Sequence, residues 1–156
     1  MNKIGLILLA GAALAQAPPA PGPETAAKPA APASNYRNVG NMSRLMIDII
    51  YPTSDAIFYV DRDEPKTDLQ WNTLASNALI LAESGNLLMM PGRARDQENW
   101  ITDSKLMTDA GAAAYKAARA KDIEGVRAVN DKLYQSCVAC HTQYRSDYPR
   151  RPAAKK

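Results

Sequence analysis

Residues 122–144 read DIEGVRAVNDKLYQSCVACHTQY, and the prediction of the fold starts from the helical pattern in this stretch. Its apolar positions recur at spacings of three or four residues, which is the period of one face of an α-helix. Asp122 has a side chain that suits a helix N-cap, so we expect a helix that begins there and ends near Pro149. The positions on the predicted apolar face are Val126, Val129, Leu133, Cys137, Cys140 and Tyr144.

Three earlier segments repeat this spacing, over residues 41–60, 67–88 and roughly 96–120. The second of them opens with a capping-box pattern, in which the side chains of Thr67 and Gln70 can each bond a free backbone N–H of the other residue. In the first segment the period continues across Pro52. We expect a kinked helix or two collinear pieces there, because proline leaves the carbonyl of Asp48 without its helical donor.

No segment alternates apolar and polar residues with period two, so no sheet is expected. Four helices of similar length joined by short loops favour an antiparallel four-helix bundle. The fold class predicted from the sequence is therefore all-α, with the first helix kinked near Pro52. The alanine content of the third segment would allow a neighbouring helix to approach closely.

The N-terminus, MNKIGLILLAGAALAQA, combines an early lysine, an apolar run over residues 4–15 and small residues at the end of that run. This pattern is typical of a secretory signal peptide, and we expect it to comprise residues 1–15. The run is shorter than the about 20 residues of a membrane span, so no transmembrane anchor is expected after cleavage. Residues 16–35 are predicted to be a disordered leader rich in proline and alanine. Residues 36–150 would then form the helical domain and residues 151–156 a basic tail.

The composition of the 156-residue chain, 46% hydrophobic and 22% charged, is that of one globular domain of ordinary size. The net charge is +3, and acidic and basic residues are interleaved along the chain without a basic stripe. This distribution argues against nucleic acid as a partner. No pair of carboxylates presents a case for acid–base catalysis, and we expect a protein that is not an enzyme.

Both cysteines and the only histidine of the chain lie in the motif Cys137-Val138-Ala139-Cys140-His141. On a helix these three side chains lie on one side. Two thiols at this spacing can add to the two vinyl groups of a haem, and the imidazole that follows can reach the iron. The pattern C-x-x-C-H is the attachment signal for c-type haem, and export would place the cysteines outside the reducing cytosol.

Three other interpretations of the motif are weaker. A thioredoxin-like pair needs its reactive cysteine at a helix N-terminus after a strand, whereas this pair lies about four turns into a predicted helix. A structural zinc site needs four ligands, and the chain has no further cysteine or histidine. A local disulfide suits an exported protein but gives no reason for the adjacent histidine.

With the residues that follow it, the motif reads CVACHTQYR. A C-x-x-C-H in the last helix of a predicted four-helix bundle resembles the class II c-type cytochromes, the cytochrome c′ group and its methionine-ligated relatives. The stretch ESGNLLMMPGRARD has no counterpart in the classical members, so the resemblance is to a divergent branch. It implies one haem c, attached covalently through Cys137 and Cys140, with His141 as an axial ligand of the iron.

The resemblance also implies that the residue facing the iron comes from the first helix, where SRLMID is similar to the stretch that supplies a methionine in low-spin members. This similarity points to Met46, with Met42, one turn earlier, as the reserve choice. Leu45 could instead block a vacant position, and methionines on an apolar stripe are commonly core residues. Arg145 is the candidate contact of a haem propionate, and Arg93 and Arg95 are weaker ones.

These expectations describe a periplasmic cytochrome that transfers electrons to periplasmic or membrane-bound redox partners. The alternative is a five-coordinate protein that binds nitric oxide or carbon monoxide, and a third interpretation is a bundle that has no haem and keeps a disulfide. Similar proteins form dimers through their first two helices, so a homodimer is also among the expectations. If haem is bound, a structure without it should contain a cavity between the first and last helices, beside Cys137, Cys140 and His141.

Overall fold

The first helix, α1, spans residues 42–58 in the computed structural model, which describes residues 35–145 of the chain. It consists of an α-helical turn at Met42–Arg44, a π-helical segment at Leu45–Ile50 and an α-helical segment at Tyr51–Phe58. A 3₁₀ turn follows at Val60–Arg62. The predicted signal peptide, the basic tail and all but the last residue of the predicted leader lie outside the described residues.

Four further helices follow: α2 at Asp68–Leu88, α3 at Asn99–Arg119, α4 at Ile123–Arg127 and α5 at Asn130–Tyr144. The described residues belong to one compact unit. No strand occurs within residues 35–145, so the all-α fold class predicted from the sequence is confirmed for this part of the chain.

The starts of α2 and α3 follow from side chains near each N-terminus. The capping box of α2 is formed as predicted, since Thr67 Oγ1 accepts from the Gln70 N–H at 3.3 Å and Gln70 Oε1 accepts from the Thr67 N–H at 3.0 Å. α3 begins at Asn99, slightly later than predicted, because the Asp96 carboxylate caps it from outside. Asp96 Oδ1 accepts from the backbone N–H of Trp100 at 3.0 Å.

The single helix predicted from Asp122 onward is in fact two helices, α4 and α5. Asp122 does cap α4, and its carboxylate accepts from the Gly125 N–H at 2.9 Å. The chain then makes one tighter turn, in which the N–H of Val129 donates to the carbonyl of Val126, three residues earlier, at 3.3 Å. α5 ends at Tyr144, earlier than predicted, because the next residue is already extended.

The irregularity expected at Pro52 lies just before it, as the π-helical segment Leu45–Ile50. Pro52 itself occupies the first turn of the following α-helical segment, where a missing backbone N–H is tolerated. The expected irregularity of α1 therefore takes the form of a change in hydrogen-bond register.

The largest helix–helix interface joins α2 and α3, while α5 packs on α3 and α1 packs on α2. Small residues allow the close approach of α2 and α3. A Cβ atom added at Gly111 would lie 2.6 Å from the backbone nitrogen of Ala82, and one added at Gly85 would lie 2.8 Å from the carbonyl oxygen of Ser104. This contact agrees with the prediction that the third helix lets a neighbour approach closely.

Candidate functional site

A cavity of about 710 Å³ is bounded by α1 and α5, and α2 and α3 contribute the rest of its wall. The cavity predicted beside the C-x-x-C-H motif is therefore present. Its volume falls within the about 300–1,000 Å³ that small-molecule and cofactor sites occupy. The five residues that the sequence favoured for a haem site line it: Met46, Cys137, Cys140, His141 and Arg145.

α5 presents two free thiols to the cavity, one helical turn apart. Cys137 is half-buried and Cys140 is buried. Burial raises the pKa of Cys137. Burial and then the negative charge of Asp103 raise the pKa of Cys140 to about 11. Both side chains are therefore protonated thiols near neutral pH.

His141 is half-buried in the same wall of the cavity. Burial lowers the pKa of His141, and the positive charge of Arg145 lowers it further. Both effects favour the neutral imidazole, which is the form that can bind a metal ion through a ring nitrogen.

α1 forms another wall of the cavity, and Met46 is the methionine that it contributes. Met42, the reserve choice for a second axial ligand, packs against the core and does not line the cavity. Leu45, the residue that could have blocked a vacant position, is 3% exposed in the core and does not line it either. Of these three residues, the structure brings Met46 alone to the C-x-x-C-H motif.

The wall formed by α3 was not anticipated from the sequence. It contributes Met107, which is buried, together with Asp103 and Ser104. Ser104 is 2% exposed, and its hydroxyl has no hydrogen-bond partner within residues 35–145. Burial and then the charge of Asp96 raise the pKa of Asp103. One signal in the sequence could have revealed this wall. Asp103 and Ser104 are polar, yet they lie one helical turn from the apolar residues Trp100 and Met107, so they share the face of α3 that these residues bury.

Tyr144 ties the end of α5 to the start of α3. Its hydroxyl donates to the Asp96 carboxylate that caps α3. Its ring meets that of Trp100 edge to face, with centroids 4.9 Å apart and an interplanar angle of 75°. Trp100 in turn donates its indole N–H to the carbonyl of Leu88 at 2.9 Å. The turn that follows His141 is therefore anchored to both α2 and α3.

The arginines considered as propionate contacts differ in position. Arg145 is exposed and lines the cavity directly after α5. Arg93 lies elsewhere, and its guanidinium donates to the carbonyls of Leu87 at 3.3 Å and Gly40 at 3.4 Å. It thereby joins the chain before α1 to the end of α2. Arg145 therefore remains the candidate contact of a propionate, whereas Arg93 has a structural role.

Three of the aromatic side chains that line the cavity are exposed to solvent. Tyr51 lies on α1, Tyr59 directly follows α1, and Tyr134 lies on α5. All three are exposed, with 66%, 46% and 59% of their surface accessible. A molecule that fills the cavity would therefore keep one edge near the protein surface.

Comparison with known proteins identifies no relative: no family model, curated protein or solved structure matches the chain. No helix within residues 35–145 combines the length and hydrophobicity needed to cross a membrane. In the same part of the chain, no three side chains of His, Cys, Asp and Glu are grouped so that they could hold a metal ion. The assignment of a function therefore depends on the cavity and its walls.

Proposed function

We propose that the protein is a periplasmic monohaem c-type cytochrome that transfers electrons, built as an antiparallel four-helix bundle of the class II type. One observation carries the proposal: Cys137, Cys140 and His141 open into a single cavity of cofactor size. Haem c, when bound there, supplies a one-electron couple between ferric and ferrous iron. The chain supplies the attachment, the axial ligands and the low-dielectric surroundings.

The residues present fit this cofactor. Cys137 and Cys140 are free thiols one turn apart, as attachment to two vinyl groups requires. His141 is biased toward the neutral imidazole that binds iron. Apolar side chains from three helices also line the cavity, Ile50, Phe58, Leu88 and Met107, and they would shield a bound porphyrin from water.

Two methionines line the cavity, and their positions favour Met46 over Met107 as the second axial ligand. Met107 lies on α3, which packs directly against α5, the helix of His141. α1 packs mainly on α2 instead, so the cavity occupies the space between α1 and α5. A planar cofactor held in this space would be bound by His141 from α5 and Met46 from α1. A thioether ligand of this kind raises the reduction potential, which suits electron transfer.

The chain also holds the position of His141 firmly, which limits reorganisation between the two oxidation states. Leu133, two turns earlier on α5, is fully buried. Tyr144, one turn later, donates a hydrogen bond to Asp96. These contacts restrain α5 on both sides of the iron ligand.

The proposal is tested by the mass and the spectrum of the exported protein. Covalent attachment adds the mass of one haem to the peptide that contains Cys137 and Cys140. A protein of unmodified mass with a disulfide at these cysteines would refute the proposal and support the haem-free interpretation.

The spectrum tests the second ligand. With Met46 bound we expect a low-spin spectrum that does not respond to carbon monoxide. Met46→Ala should produce a high-spin ferrous haem that binds carbon monoxide, whereas Met42→Ala is the matched control and should leave the spectrum unchanged. An unchanged spectrum in Met46→Ala would show that the ligand assignment is wrong.

The second candidate is a five-coordinate protein that binds nitric oxide or carbon monoxide. It is favoured by the apolar side chains Ile47 and Ile50, which line the α1 wall within about one turn of Met46 and could border a bound gas molecule. A high-spin ferrous spectrum with carbon monoxide binding in the unmodified protein would support this candidate over the electron carrier.

The expected partners are periplasmic or membrane-bound redox proteins. The exposed tyrosines that line the cavity would let such a partner approach the cofactor through a small, transient contact. The homodimer stays a prediction, to be measured by sedimentation of the exported protein.

A further inference from the structure

The π-helical segment of α1 spans six residues, Leu45–Ile50, in a helix that is otherwise α-helical. At its end the backbone N–H of Tyr51 donates to the carbonyl of Met46, five residues earlier. Such segments are uncommon and frequently occur at functional sites. Met46 lies inside this one, so the register of the segment bears directly on where the Met46 side chain points.

Pro52 explains why the register changes here. In an uninterrupted α-helix its ring would collide with the carbonyl of Asp48 and leave that carbonyl without a donor. A wider turn before Pro52 relieves the collision. The hydroxyl of the next residue lies within reach of two neighbouring carbonyls: Thr53 Oγ1 shares its proton between Ile49 O at 2.7 Å and Ile50 O at 3.1 Å.

The wider turn changes which residues of α1 face the cavity. Met46 and Phe58 both line the cavity and are twelve residues apart. At about 100° per residue, an uninterrupted α-helix would place them about 120° apart around the axis. One extra residue accommodated in a single turn removes about 100° of this difference and leaves about 20°. The cavity-lining residues Met46, Ile50, Ser54 and Phe58 accordingly recur every four positions.

The neighbouring row of residues on α1, displaced by one position and so by about 100° around the axis, shows the same alignment. Leu45 and Ile57 are also twelve residues apart, and they are 3% and 0% exposed in the core. Thr53, which lies between them, is 5% exposed. The register change thus keeps both rows aligned along α1: Leu45, Thr53 and Ile57 stay buried, and the row of Met46 and Phe58 stays at the cavity.

We infer that the π register set by Pro52 is what directs Met46 into the cavity, so that Pro52 is a positioning residue for the second axial ligand. This inference rests on the proposed function. It adds that the ligand depends on a proline six residues away that does not line the cavity.

The test compares variants of the haem-loaded full chain by absorption spectrum and carbon monoxide binding. Pro52→Ala restores a backbone N–H and permits the α register, which would turn Met46 away from the cavity. The expected result is loss of the low-spin spectrum and gain of carbon monoxide binding. Pro91→Ala, at an exposed proline outside the helices, is the matched control and should change neither.

A second variant separates ligand positioning from general stability. Deletion of Asp48 in the Pro52→Ala background removes the extra residue, so that Met46 and Phe58 are eleven positions apart and about 20° apart in a regular α-helix. Asp48 is exposed and pairs with Arg44 at 3.5 Å, so its loss removes no core contact. We expect the low-spin spectrum and the resistance to carbon monoxide to return.

The outcomes distinguish failure of this inference from failure of the proposed ligand. If Met46→Ala leaves the spectrum unchanged, the ligand assignment is overturned and the inference falls with it. If Met46→Ala changes the spectrum and Pro52→Ala does not, the inference alone is overturned. It is equally overturned if the Asp48 deletion fails to restore the spectrum, or if Pro91→Ala has the same effect as Pro52→Ala.

Discussion

Asp96 and Tyr144 lie 48 residues apart in the chain and share a hydrogen bond beside the cavity. The bond from Tyr144 and the backbone N–H of Trp100 hold the pKa of Asp96 below its usual range. Burial and the same hydrogen bond raise the pKa of Tyr144 to about 12. Both shifts favour the bonded state, an ionised carboxylate with a protonated phenol, near neutral pH.

This pair makes the free energy of unfolding depend on pH in the acid range. Because the pKa of Asp96 is lower in the folded state than in the unfolded state, its contribution is fully present above the unfolded value, about 3.9. The contribution is lost as the pH falls through the lower, folded value. Tyr144→Phe removes the larger cause of the shift, so we expect it to unfold at lower urea concentration than the unmodified protein at pH 7.

The difference between the two proteins should shrink when urea unfolding is repeated in acid, below the unfolded pKa of Asp96. Tyr134→Phe, at an exposed tyrosine, is the matched control and should unfold like the unmodified protein at both pH values. A difference for Tyr144→Phe that is the same at neutral and acid pH would contradict the pairing with Asp96.

At the scale of elements, the interface of α2 and α3 depends on Gly111. A Cβ atom there would lie 2.6 Å from the backbone nitrogen and 2.8 Å from the Cα atom of Ala82, and backbone atoms cannot move aside as a flexible side chain can. The two helices would have to separate. Since α3 also carries one wall of the cavity and packs on α5, a change in this interface would extend toward the C-x-x-C-H motif.

We therefore expect Gly111→Ala to lower the free energy of unfolding. Overpacking typically costs about 1–3 kcal/mol, whereas alanine gains at most about 1 kcal/mol over glycine in a helix. Gly40→Ala is the control, because its Cβ would lie 3.6 Å from the Cβ of Arg44, an ordinary contact. Chemical denaturation compares the two variants, and a Gly111→Ala protein as stable as the control would show that the helices can adjust.

Helix α1 shows what a periodic pattern in the sequence can and cannot predict. The period predicted a helix across Pro52, and the helix is present. It did not reveal the π-helical register. Leu45 and Met46 are both apolar, as are Ile49 and Ile50, so the pattern fits an α-helical and a π-helical register equally well. Which member of each pair faces the core was decided by packing against α2 and by the cavity.

At the scale of the whole molecule, the cavity separates α1 from α5 and removes packing from the centre of the fold. Six buried side chains of the core within residues 35–145 are alanines, Ala75, Ala78, Ala82, Ala110, Ala114 and Ala118, so the apolar area that the helices bury on one another is modest. A covalently bound cofactor would replace the missing contacts, and any ligand that binds only the native state stabilises it.

We expect the double variant Cys137→Ser, Cys140→Ser to have lower helical content than the haem-loaded protein. Far-ultraviolet circular dichroism of the exported proteins measures this difference. Thr142→Ala, at an exposed position on the same turn, is the control and should keep both haem and helicity. A double variant with full helical content would show that folding does not depend on attachment.

The sequence by itself determined the features that depend on residues close together in the chain. The capping box of Thr67 and Gln70, the N-cap of Asp122 and the one-sided placement of Cys137, Cys140 and His141 each involve residues within four positions. Local hydrogen bonds and the helical period are enough to fix such features.

Only the tertiary structure decided the features that join distant residues. These are the position of Met46, and not of Met42 or Leu45, at the cavity, the polar α3 wall with Ser104, and the bond from Tyr144 to Asp96. The physical reason is that a helix presents several residues as alternatives on one face. The packing of neighbouring helices then selects which of them enters the core, which enters the cavity, and which polar groups find a partner.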